Sequence, residues 1–129
     1  ILEEGLAHRF RRHEIAATAL RRGFAAMGLE MFPDPSIVSN TVSCVKAPKG
    51  IETAAVVTQM RDRYGILIGT GLDKIRTTTL RIGTMGVTAS PLYVLPTLSA
   101  LELALRDLGY KCESGAAVAA AQAAFADAA

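Results

Sequence analysis

Apolar positions recur at helical spacing through the first part of the chain. Leu2, Leu6, Phe10, Ala17, Leu20, Phe24 and Met27 follow one another at steps of three, four or seven residues. Glu3, Glu4, Arg9, Arg11, Arg12, Glu14, Arg21 and Arg22 lie between them. This pattern predicts one long amphipathic helix over residues 2–28, ended by Gly28 in a left-handed cap. The basic positions read as a solvated face with local ion pairs, and His8 and His13 as solvated helix histidines.

The period changes after Gly28. Leu29 to Phe32 is a short β-like segment, and Pro33-Asp34-Pro35-Ser36 is a turn. Residues 40–46 read as a strand, with Thr41, Ser43 and Val45 opposing Val42 and Cys44. A second helix is predicted over 52–63, ended by Gly65. Ile66-Leu67-Ile68 has no polar alternation, which predicts a central strand covered on both faces. Gly69-Thr70-Gly71 opens a polar loop, and the β-branched stretch from Thr77 to Ile82 predicts another strand. Ser90-Pro91 is a helix start, with a capping hydroxyl and a proline at the first helical position. Val94, Leu98, Leu101, Leu105 and Leu108 continue that helix, and Pro96 predicts a kink or a later start. The alanine-rich end, to Ala129, predicts a helix that is weakly docked or frayed, because alanine buries little surface. This order of elements gives an α+β two-layer sandwich: a small, mostly antiparallel sheet with helices packed on one face.

Composition narrows the function classes. At 129 residues the chain has the size of one domain, and half of it is hydrophobic, so disorder is excluded for most of its length. A net charge of +2 gives no face basic enough to hold a nucleic-acid backbone. Aromatics at 5 % and no Trp leave no platform for stacking bases. No apolar run approaches the ~18 residues of a membrane span. No secretory pattern opens the chain, so a cytoplasmic protein with Cys44 and Cys112 reduced is expected. No thiol or acid cluster accompanies the histidines at ligand spacing, so no metal site is expected. The chain starts at Ile1 inside a helical pattern, and a longer parent protein is expected.

No phosphate-cradling glycine loop, nucleophile elbow, HExxH or CxxC is present. One segment has the form of a site: Leu80-Arg81-Ile82-Gly83-Thr84-Met85-Gly86. Arg81 alternates with two apolar neighbours and so points away from them. A guanidinium there either pairs with a surface acid at a sheet edge or holds an anion, since burying it unpaired is costly. Its planar fork of donors suits a carboxylate, and the glycines that follow leave room for a small ligand.

The same residues carry a family resemblance. Gly-Ile-Leu-Ile at Gly65 to Ile68, a polar loop, then Arg-Ile-Gly-Thr-Met-Gly at Arg81 to Gly86 resemble the C-terminal domain of class V pyridoxal-phosphate-dependent aminotransferases. The alanine–glyoxylate, serine–glyoxylate and pyridoxamine–pyruvate group is most similar. Glu3-Glu4-Gly5-Leu6 with His8-Arg9-Phe10 and Arg12-His13 resembles that family's interdomain helix, and Ser39-Asn40-Thr41-Val42 its first long small-domain strand. Leu108-Gly109-Tyr110 and Ser114-Gly115-Ala116 also fit.

The resemblance implies the small domain of a fold type I pyridoxal-phosphate enzyme. It divides the chain into an interdomain helix at 1–28, the small domain at 29–111 and a tail helix at 112–129. It implies that Arg81 binds the carboxylate of an amino acid and of a small 2-oxo acid such as glyoxylate or pyruvate. It implies a homodimeric parent whose large domain, not this chain, holds pyridoxal 5′-phosphate and the Schiff-base lysine. Lys46, Lys49, Lys74 and Lys111 sit in no matching motif, so the chain alone is expected to be inactive. Thr84 stands where the family commonly has His. Two other readings remain: a non-enzymatic α+β module that binds a carboxylate or a protein, and a diverged lyase or desulfurase of the same class.

Overall fold

The structure, a computed structural model, describes residues 1–129. Helix α1 spans Leu6–Ala26, strand β1 Val42–Lys46, helix α2 Thr53–Tyr64 and strand β2 Gly69–Thr70. Strand β3 spans Thr79–Gly83, helix α3 Pro91–Asp107 and helix α4 Ala116–Ala128. The sheet is antiparallel in the order β1-β3-β2, so β3 is central. Its helices and strands make an α+β fold, as expected.

Side-chain alternation sorts the two faces of the sheet. Val45 pairs with Leu80, and Ser43 with Ile82, and all four are buried. Cys44 pairs with Arg81 on the opposite face, where both are only part-buried. Behind the first face lie Leu20, Phe24 and Met27 of α1, Val56 and Met60 of α2, and Val94, Leu98, Leu101 and Leu105 of α3. Burying each such side chain contributes roughly 1.5–3 kcal/mol.

The helical stripe of α1 divides in two. Its second half, from Ala17 to Met27, is core, whereas Leu2, Leu6 and Phe10 are exposed. Gly28, at φ +77°, ends the helix as its pattern predicts, with the Leu29 amide donating to Phe24 O.

Several local expectations are corrected. Ile66–Ile68 is not a central strand. The Ile66 amide donates to Met60 O, and Ile66 and Ile68 pack against the core while Leu67 is 78 % exposed. The central position falls to β3, which pairs with both β1 and β2. Leu29–Phe32 makes a single bridge, Met31 to Val45, beside β1. Ser90 occupies the N-cap of α3, but its hydroxyl makes no capping bond. The helix starts at Pro91 and runs through Pro96, which is exposed, and the Thr97 hydroxyl donates to Tyr93 O beside it.

α4 does not fray. Ala117, Ala121 and Ala124 are buried, and the helix packs against α1 and α3. Small side chains let helix backbones approach closely, so an alanine face docks despite its modest area. Its N-terminus is capped from outside: buried Glu102 of α3 accepts from the Gly115 amide at 2.7 Å and the Ala117 amide at 3.4 Å. An Arg22–Asp127 ion pair at 3.0 Å ties its other end to α1.

Candidate functional site around Arg81

Arg81 lies in the middle of β3, on the face turned away from the helices. Its Nε donates to Thr70 O of β2 at 2.8 Å, which fixes the guanidinium plane over the edge strand. Gly69 is its register partner there, and a Cβ on Gly69 would stand 3.3 Å from Nη2. Glycine at 69 therefore gives the guanidinium its room.

What distinguishes Arg81 is what it leaves open. Arg9, Arg12 and Arg21 are also part-buried. Arg9 and Arg12 grip Glu4, and Arg21 reaches Ser39 O and Asn40 Oδ1. Arg81 alone of the four engages no other residue with either terminal nitrogen, and it pairs with no acid. Two parallel N–H donors on a rigid, part-buried fork match a carboxylate in geometry and charge.

The turn after β3 is held from α1. Gly86 has φ +60° and sits where its amide donates to His13 Nε2 at 3.0 Å. Its carbonyl accepts from Arg12 Nη1 at 2.6 Å, and Ala89 O accepts from the same nitrogen at 3.0 Å. Arg12 Nε and Nη2 meanwhile hold both oxygens of Glu4, at 2.6 and 3.0 Å. The Arg12 guanidinium, through these hydrogen bonds and its charge, lowers the Glu4 carboxyl to about 2. Thr84 is buried, its hydroxyl donating to Asn40 O at 3.1 Å.

Two expectations for α1 change here. His8 is exposed, but His13 is 7 % exposed and uses both ring nitrogens. Arg12 is not part of a solvated face but a link between α1 and the turn. Sequence spacing could not show either, because the turn lies more than seventy residues along the chain.

No family model matches the chain. It is 40 % identical over 120 residues to an uncharacterized aminotransferase of Methanocaldococcus jannaschii, covering 92 % of this chain and 31 % of that protein. Among solved structures, pyridoxamine–pyruvate aminotransferase from Mesorhizobium loti superposes with a TM-score of 0.95 at 36 % identity. That match covers 99 % of this chain and 33 % of the other. Ureidoglycine–glyoxylate aminotransferase from Bacillus subtilis gives 0.94 at 37 % identity, covering 97 % and 32 %. The chain thus spans about a third of the length of the relatives it matches. It belongs with these aminotransferases, as their small C-terminal domain.

In this aminotransferase domain the residues present do not form a pyridoxal-phosphate site. The anchoring group would be a lysine in a cleft, and Lys49, Lys74 and Lys111 are exposed while Lys46 pairs with Glu30 at 2.8 Å. No lysine lines the cleft of about 330 Å³ bordered by Ile66, Leu67, Ile82, Thr84, Leu92 and Tyr93. That cleft opens on the helix side of the sheet, and Arg81 does not line it. No three His, Cys, Asp or Glu side chains come together as a metal would need, and no helix is long and apolar enough to cross a membrane. Both cysteines are free, and burial raises the Cys112 thiol above its ordinary range.

Proposed function

We propose that the protein containing this domain is a pyridoxal-phosphate-dependent transaminase of class V. It moves an amino group between an amino acid and a small 2-oxo acid, glyoxylate or pyruvate. The two structural relatives are named for reactions with those acids, which supports this substrate class. The cofactor, held by residues outside this chain, supplies the electron sink for the transfer. What this chain supplies is position.

Arg81 anchors the carboxylate that the amino acid and the 2-oxo acid share. Thr70 O holds Nε, so the fork does not have to be ordered when the substrate arrives. A carboxylate received on both terminal nitrogens leaves only rotation about its own axis, which the rest of the site can fix. Orientation of this kind lowers a barrier by removing freedom in advance. One observation carries the reading: a part-buried arginine on an open sheet face with a fixed Nε and no acid on its fork. The resemblance extends the proposal to a homodimer.

Arg81→Lys in the full-length enzyme tests the anchor. One ammonium cannot reproduce a two-pronged contact worth about 1.5–3 kcal/mol. We expect KM for both the amino acid and the oxo acid to rise by roughly 10- to 100-fold, with the cofactor absorption band unchanged. Unchanged kinetics would overturn the role of Arg81. A full-length protein that neither binds the cofactor nor transaminates would overturn the activity itself.

A further inference from the structure

We infer that Met85 sets the size of the substrate group accepted beside Arg81, and that Arg12 and His13 of α1 hold it in place through the main chain of Gly86. The inference rests on the transaminase reading above and adds a residue that decides specificity.

Strand alternation puts Gly83 on the same face as Arg81, two residues on, with Ile82 buried between them on the other face. A Cβ on Gly83 would lie 3.5 Å from the Met85 Cε. The thioether methyl therefore lies over the bare backbone of Gly83, on the Arg81 face. The span from Arg81 to Gly83 along the strand is about 6.5 Å, two residues of rise. A carboxylate on the Arg81 fork has its α-carbon one bond away and its side chain a few ångströms farther. Met85 then closes the end of the site towards the tip of β3, as Gly69 provides its floor over β2.

Met85 is 54 % exposed, so its place is not explained by core packing. Its backbone is nonetheless fully engaged. Its amide donates to the Thr88 hydroxyl at 2.9 Å, and that hydroxyl donates to its carbonyl at 2.9 Å. The next residue, Gly86, is gripped from α1 through both of its main-chain groups, by His13 Nε2 at its amide and by Arg12 at its carbonyl. His13 Nδ1 donates to Arg9 O at 2.8 Å, which leaves Nε2 with the lone pair that the Gly86 amide needs. Both α1 residues hydrogen-bond to Gly86 rather than to Met85, so both act by positioning.

The test uses the full-length holoenzyme and compares kcat/KM for glyoxylate and pyruvate with that for a longer unbranched acid, 2-oxopentanoate. A wall of this kind discriminates by roughly tenfold for each methylene it rejects. Met85→Ala, an exposed change, should shift the preference towards 2-oxopentanoate by about tenfold or more, with the cofactor band unchanged. His13→Met, which lacks the acceptor, should shift the same ratio the same way and speed hydrogen exchange at the Gly86 amide. His13→Gln, whose Oε1 can accept that amide, should stay near the parent on both readouts.

An active parent whose preference Met85→Ala leaves unaltered would overturn the wall. Equal effects of His13→Gln and His13→Met, or no effect of either, would overturn the positioning role. Should His13→Met fail to fold, the Gln variant's ratio and the Met85 variant still decide the matter. A parent inactive with every oxo acid would instead refute the transaminase reading.

Discussion

An arginine kept for a ligand and an arginine kept for the fold should differ in what their removal costs. Arg81→Ala removes one hydrogen bond, Nε to Thr70 O, from the edge of the sheet, where the freed carbonyl can hydrate. That is about 1 kcal/mol. Arg12→Ala removes two bonds to main-chain carbonyls, at Gly86 and Ala89, together with the grip on Glu4. The two carbonyl bonds from a charged donor alone amount to roughly 3 kcal/mol. For a chain of this size each kcal/mol moves Tm by about 3–5 °C. Arg12→Ala should therefore lower Tm by about 10 °C and Arg81→Ala by about 4 °C. The check is thermal denaturation of the two variants beside the parent, with urea midpoints at unchanged slope as a second reading of the same free-energy difference. If Arg81→Ala proves as costly as Arg12→Ala, Arg81 is a structural residue and its open fork is not kept for a ligand.

Two more outcomes follow from the same network. Glu102→Leu strips the cap from α4 and leaves the Gly115 and Ala117 amides without their acceptor, which should cost about 2 kcal/mol. Glu102→Gln should lose less, and hydrogen exchange at Ala117 would show whether α4 loosens as expected. Glu4, whose carboxyl is lowered from an ordinary 4.5 to about 2 by Arg12, gives a stability that is present above the higher value and lost as pH falls towards the lower. Glu4→Gln should flatten the decline of Tm between those two values, and an unchanged profile would refute the pairing.

The architecture was largely legible from residue order. Glycines at 28 and 65 end helices where the periodicity stops, and Gly28 does so in the left-handed form that favours glycine. The alternation around Arg81 already separated its side chain from Leu80 and Ile82, and the structure keeps that separation. The family motif made the chain recognisable, and the superposition on complete aminotransferases agrees with it.

Other features needed partners that no local window contains. The hydrophobic run at Ile66–Ile68 reads as a central strand, yet strand rank depends on which backbones pair, and both neighbours chose β3. Alanine content said that α4 buries little. It could not say that Glu102, on another helix, would cap it. His13 and Arg12 looked like surface residues because the peptide they hold is a turn on the far side of the sequence. Period and punctuation are set by the chemistry of a residue and its near neighbours, so the sequence alone determined the helices, the glycine stops and the facing of Arg81. Hydrogen-bond partners and burial depend on which distant segments fold together, so only the tertiary structure decided which arginine is spent on the fold and which is left with its fork open.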